Sequence, residues 1–274
     1  MIRRFVIALL LVLLARLAPA GETNDALPAL WFPVGEGLTY RIFWGVIPVG
    51  YVRVTSQWVE EDGRTLLAIR MRTRTGDVLS KVYPVDDLVE TVIDPATFLP
   101  LRCTKTLREG RYRCDEVTVF DHASRIAHWT SRMNHKTKEI PIEPDTLDLV
   151  AFMYRMRLNR FEPGTKTQYK VMADEKLYSL EVDADRIESF RVGDYGWVSS
   201  VKLEPKASFG GLFVRKGRLW MWVSEDERRI ATKVAAQVVV GKVNILLVGV
   251  DGPGDDRWTK PGVGERIEMK ERAP

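Results

Sequence analysis

Three histidines, His122, His128 and His135, fall within one short segment and are the first residues to weigh for chemistry. Their spacings of six and seven match no zinc motif, and neither cysteine is placed to complete one. On a strand, His122 and His128 would share a face about 20 Å apart, too far for one metal. They read as surface or rim residues. Nucleophile and phosphate motifs add nothing: there is no G-x-S-x-G elbow, no P-loop and no H-E-x-x-H. The carboxylate pairs Asp86-Asp87 and Asp255-Asp256 are adjacent in sequence, whereas acid–base pairs are assembled from separate elements. No catalytic residue, metal or cofactor is expected.

Two features point to binding instead. Arg70, Arg72 and Arg74 recur at period two, on one strand face about 7 Å apart, a spacing that suits a phosphate-bearing headgroup or simply a solvated face. Aromatic residues, among them Trp44, Tyr51, Trp197, Trp220 and Trp222, recur on strand-like runs. In "RLWMW", Trp220 and Trp222 point to one face, and Leu219 and Met221 to the other. An antiparallel sheet needs only one buried face. The second apolar face is therefore a thick core packed by a helix, or a covered, ligand-holding surface. These five aromatics and three arginines are the candidate ligand contacts.

The elements that would carry them follow from patterning. In "YVRVTSQWV", Val52, Val54 and Ser56 alternate with Tyr51, Arg53 and Thr55; after the turn "EEDGR", Leu67, Ile69 and Met71 alternate with the arginines. Similar runs recur at 98–107, 111–120, 124–130, 167–173, 177–184, 197–204 and 217–224, separated by turn signals, as in a meandering antiparallel domain. One segment differs. "EPDTLDLVAFMYRMRLNRFEPG" has helical spacing of Leu147, Val150, Ala151, Tyr154 and Leu158, a possible cap at Asp145 or Thr146, and so few polar faces that it must be buried. The expected fold is mainly β, a large curved antiparallel sheet or open β-barrel wrapping one buried helix at 145–158.

"WVSEDERRIATKVAAQVVV" tests that reading, because Ser224 and Glu227 have capping-box spacing. Its β-branched residues Ile230, Thr232, Val234 and Val238 to Val240 favour strand. We read strand 217–224, a solvated charged turn at 225–228 containing Asp226 and Arg228, and a strand from 229 to about 240.

Residues 1–20 carry Arg3 and Arg4, an apolar run and Ala18-Pro19-Ala20, the pattern of a cleaved secretory signal rather than a membrane span. No cysteine follows for a lipoprotein anchor, so the expected location is the periplasm. The net charge is +4. The signal takes three arginines and no acid with it, which leaves +1 and no case for nucleic acid. Cys103 and Cys114 flank "REG". A two-residue turn at Arg108-Glu109 would oppose them, whereas a glycine bulge at Gly110 would shift the register and separate them; an oxidising compartment would favour a structural disulfide. A single domain is expected over 31–250, followed by a Gly/Pro-rich, charged tail at 251–274.

Together the landmarks resemble a bacterial exported family catalogued as domain of unknown function 3108. "PVGEGLTYRIFWGVIPVGYVRV" is similar to its opening block through Gly35, Glu36, Leu38, Tyr40, Trp44, Gly45 and Gly50. "YPVDDLVETVIDPATFLPLR" is similar to its next block, and "DLVAFMYRMR" to its helix motif through Asp148, Tyr154 and Arg157. Ala151 stands where a serine is common, and in the closing block Ala231 stands where a proline is usual. The resemblance covers about residues 31–248. It implies an exported β domain and, by analogy, kinship with open barrels that hold lipid or lipoprotein acyl chains. The expected role is non-catalytic binding or carriage of an apolar ligand, a lipid or acyl chain. A module docking on another envelope protein is the second reading and an uncharacterised hydrolase the weakest.

Overall fold

Alternation has the consequence expected of it. In strand β2 (Ile47–Glu61) Val52, Val54 and Ser56 are buried while Tyr51, Arg53 and Thr55 face outward. The paired β3 (Arg64–Thr75) buries Leu67 and Ile69 and turns Arg70, Arg72 and Arg74 out. The structure, a computed structural model, describes residues 27–209, 212–213, 218–238, 241–253 and 258. The expected signal segment and most of the expected tail lie outside these residues. Within the tail, Trp258 is fully buried.

The chain also forms β1 (Gly37–Trp44), β4 (Asp86–Asp94), β5 (Leu99–Glu109), β6 (Tyr112–Asp121), β7 (Ile126–Ser131), β8 (Thr137–Pro141), β9 (Leu147–Asp148) and β10 (Lys166–Ala173). The remaining strands are β11 (Lys176–Arg191), β12 (Trp197–Phe209), β13 (Leu212–Phe213), β14 (Arg218–Ser224), β15 (Ala231–Val238) and β16 (Gly241–Asp251). All belong to one 16-stranded sheet, ordered β8-β7-β6-β5-β4-β3-β2-β1-β16-β15-β14-β12-β11-β10-β9, with β13 on β12. Described pairings are antiparallel except β9 with β10. Near the middle, β1 lies between β2 and β16, which joins the two ends of the chain. Gly45, at φ +60°, opens the two-residue turn from β1 to β2, where a hairpin needs positive φ. At Gly50 a Cβ would lie 2.3 Å from the Arg74 carbonyl oxygen, so a side chain there would push β2 from β3.

The sheet is curved but not closed, and side chains bridge its seam. Lys138 of β8 reaches the Glu175 carbonyl at 3.4 Å, and Lys170 of β10 pairs with Glu143 at 2.8 Å. Met172 of β10 packs in one cluster with Phe120, Ala127 and Ile140 of β6 to β8.

Helix α1 (Leu149–Met156) fills the concave side, with Val150, Ala151, Phe152, Tyr154 and Met156 buried in the core. Eight residues are too few for a stable helix alone, so packing holds it. It starts later than the sequence suggested. Asp145 is left-handed at φ +59°, and Leu147-Asp148 is extended against β10. Asp148, not Asp145 or Thr146, is the cap. Its Oδ1 accepts from the Val150 and Ala151 amides at 2.8 and 3.0 Å and from Thr91 Oγ1 at 3.0 Å.

The helix's far end is fixed by charge. Glu36, with no exposed surface, accepts from both terminal nitrogens of Arg157 and from Arg228 Nη2 at 2.6 Å. Arg157 Nε donates to the Arg228 carbonyl at 3.1 Å, and Arg229 Nε donates back to the Arg157 carbonyl. The β14–β15 segment is thus a turn, as expected, with Glu225 and Glu227 exposed, but Arg228 is buried. Asp226 folds it by accepting from the Arg228 and Arg229 amides at 3.2 and 3.1 Å, and it also receives Trp258 Nε1. Burial pushes the Tyr40 and Tyr154 phenols beside this network well above their ordinary range, so both stay neutral.

The expected disulfide is absent: Cys103 and Cys114 are both free. Gly110, at φ +52°, takes the first turn position and Glu109 pairs with Tyr112, so the turn lies two residues beyond Arg108-Glu109. Cys103 then opposes Thr118, and Cys114 opposes Leu107. That separates the cysteines by about four strand steps, roughly 13 Å. Burial raises both thiols, Cys114 to about 11, so neither is a reactive thiolate at neutral pH. A thiol count on denatured, unreduced protein should find two per chain, and reductant should leave the Tm unchanged. A count of zero would reverse the assignment.

Candidate functional site

Register places two rows of side chains on the concave face of β3 to β7. One runs Ile69, Thr91, Cys103, Thr118, Trp129; the other runs Met71, Val89, Lys105, Glu116. The first turn of α1 lies across them, and between helix and rows is a pocket of about 220 Å³. Met71, Val89, Phe120, Trp129, Leu149, Val150 and Met172 supply its apolar wall. Leu149 is half exposed, the only one of these helix and sheet residues besides the rim acids to reach so far into solvent.

The polar part of the wall is unusual. Lys105 pairs with Glu116 at 3.1 Å and with Asp174, in the β10–β11 turn, at 3.4 Å. Asp148 spends Oδ1 on the helix cap, while its buried Oδ2 has no hydrogen-bond partner. Burial, resisted by the amides of Ala151 and Val150 and the Thr91 hydroxyl, pushes the Asp148 carboxyl up to about 6. The Trp129 indole nitrogen is also buried without a partner.

The arginine row lies on the other side of the same strands. Arg70, Arg72 and Arg74 join Tyr51, Arg53, Leu88 and Glu90 around an outer groove of about 480 Å³. The groove is larger but its cations are engaged. Arg70 pairs with Glu90; Arg72 grips Asp86 through two bonds of 2.9 Å, and Arg74 shares that carboxylate at 3.2 Å. The Arg72 hydrogen bond holds the Asp86 carboxyl below its ordinary range. Of the expected ligand contacts, the structure therefore gathers Tyr51, Arg70, Arg72 and Arg74, but on the convex side of the sheet.

The tryptophans are scattered. Trp222 is buried on the convex face, donating to Glu188 at 2.7 Å beneath Lys233, whose Nζ is 4.4 Å from its ring centre. Arg218 covers Trp220 at 4.8 Å. The second apolar face of β14 is thus covered by Lys233 of β15 and by Arg218 of β14 itself. Trp44, about half exposed, and Trp197, 72% exposed, stand at opposite ends of the sheet. His122 Nε2 is 2.8 Å from the Pro100 carbonyl, His128 is 3.7 Å from Glu139, and His135 sits exposed in a turn.

Sequence reasoning missed the inner pocket. Its usable signal was Lys105 and Glu116, charges at inward-facing alternate positions, which become partners only once the β5–β6 register is known.

The profile of the family described as Protein of unknown function (DUF3108) matches residues 39–248. No curated protein matches the sequence. The crystal structure of a beta-barrel-like protein of domain of unknown function DUF1849 from Brucella abortus is similar with a TM-score of 0.56, at 10% identity, over 81% of this chain and 99% of that one. At that identity the likeness is one of fold.

Proposed function

Because the chain belongs to the DUF3108 family, whose description records no function, its role rests on its own cavities, and we propose that it is an exported, non-catalytic binding protein for an apolar ligand. The observation that carries this reading is the pocket between α1 and the concave sheet, with its apolar wall and half-exposed Leu149. Its 220 Å³ is below the ~300–1,000 Å³ common for small-molecule sites. The size suits one alkyl chain rather than a whole diacyl lipid. Each ~100 Å² of alkyl surface removed from water would contribute about 2.5 kcal/mol before association costs. Among the described residues no helix is long and apolar enough to cross a membrane. The periplasm is the compartment we assign, on the signal pattern of residues 1–20.

The docking alternative would use the free edge of β8. That edge is five residues long, carries Lys138 and Glu139 and ends in Pro141, features that discourage strand addition. We therefore favour the carrier. Native mass spectrometry of protein recovered from the periplasm should show a co-purifying mass of a single-chain amphiphile. The pocket-filling variant Leu149→Trp, at an exposed position, should lose at least tenfold of that occupancy. Apo protein throughout, or equal occupancy in the variant, would reject the carrier.

A further inference from the structure

The wall of the inner pocket is asymmetric in charge. Its ionisable side chains are the carboxyls of Glu116, Asp148, Asp174 and Glu175, the amine of Lys105 and the buried thiol of Cys103. Lys105 already serves Glu116 and Asp174. The ionisable groups therefore offer an incoming head group acceptor oxygen, not cation, with the unpartnered Trp129 N–H as one neutral donor beside them. The deepest acceptor is Asp148 Oδ2, on a residue 4% exposed and lacking any hydrogen-bond donor for that atom. A buried acceptor without a donor is costly, and a bound group that supplies the donor recovers that cost.

We infer that the pocket takes a single-chain amphiphile with a hydrogen-bond-donating, non-anionic head, an amine before a hydroxyl, seated head-inward on Asp148. This rests on the carrier reading and narrows it. The alkyl chain then lies along Phe120, Trp129, Leu149 and Met172 toward solvent. Carboxylate and phosphate heads are excluded by the surplus of acids. The arginine groove on the convex face cannot serve the same ligand, because the sheet lies between the two.

Calorimetric titration of the full mature chain at pH 7.5 with decylamine, decan-1-ol and decanoate tests this. Decylamine should bind at least tenfold tighter than decanoate, with decanol between. In Asp148→Asn, one amide oxygen can keep the helix cap while an amino group replaces Oδ2. The amine preference should disappear and decanoate should gain. Should that variant fold poorly, the wild-type protein gives a second readout. Decylamine affinity should fall several-fold as pH is lowered through about 6, where Asp148 becomes neutral, while decanol affinity does not. Equal affinity for all three ligands would overturn the head-group assignment and leave the carrier intact. Binding of none would overturn both.

Discussion

Glu36→Gln is expected to destabilise the protein by about 3–5 kcal/mol, the cost of leaving a buried charge without its partner. Glu36 meets both Arg157 and Arg228, and it has no exposed surface. Glutamine keeps the shape but removes the negative charge that both guanidiniums share, and Arg157, 4% exposed, loses the carboxylate that offsets its desolvation. For a domain of this size the loss corresponds to a Tm drop on the order of 10 °C. Denaturant unfolding of the two proteins measures it directly. The mechanism makes a second demand. With Arg157→Met added, part of the surplus charge is gone, so the double variant should be less unstable than the two single losses summed. Additive losses, or a Glu36→Gln cost under about 1 kcal/mol, would show that this network is not what locks α1 to β1 and the β14–β15 turn.

The second large effect is on pH. Asp148 titrates near 6 in the fold against 3.8 for the free side chain. Between those values the folded protein holds a proton that the unfolded chain has released. Stability from this group is therefore complete below about pH 4 and declines as pH rises through 6. The whole loss is roughly 3 kcal/mol at 1.36 kcal/mol per pH unit. Other carboxyls, such as Asp86, are held low by arginine and slope the other way. The informative quantity is consequently the difference between wild type and Asp148→Asn, measured by denaturant midpoints from pH 4 to 8. The wild type should lose ground to the variant steadily between pH 4 and 6 and hold a constant difference above 7. A flat difference would mean that Asp148 is solvated.

How much of this was legible beforehand depended on the range of the interaction. Val52 against Arg53, or Ile69 against Arg70, is a choice made by neighbours in sequence, and alternation alone assigned their faces correctly. The buried helix was readable for the same reason, since "LVAFMY" leaves no polar side. Its start was not. Asp145, Thr146 and Asp148 can all cap, and the choice was made by Thr91 and by β10, elements remote in the chain. The cysteines failed on a shift of the turn by two residues, because Gly110 entered the turn instead of following it. Arg228 looked solvated because its partner lies 192 residues away. Of the eight proposed ligand contacts, Tyr51 and the three arginines line the outer groove, the four tryptophans lie away from it, and none lines the inner cavity. That cavity is made by pairing Lys105 with Glu116 and laying α1 across, neither of which is a local pattern.

The placement of β16 beside β1 bears on how the molecule comes into being. Strands β2 to β8 can assemble as successive hairpins as soon as each is made, but the sheet gains continuity only when Gly37 meets Asp251 and Leu38 meets Val250. Contacts of such sequence separation close late, because the loop entropy is spent before they reward it. Until β16 is in place, the ladder from β8 to β1 and the ladder from β15 to β9 share no backbone pairing, and the last-made strand of the sheet is the one that turns two ladders into one.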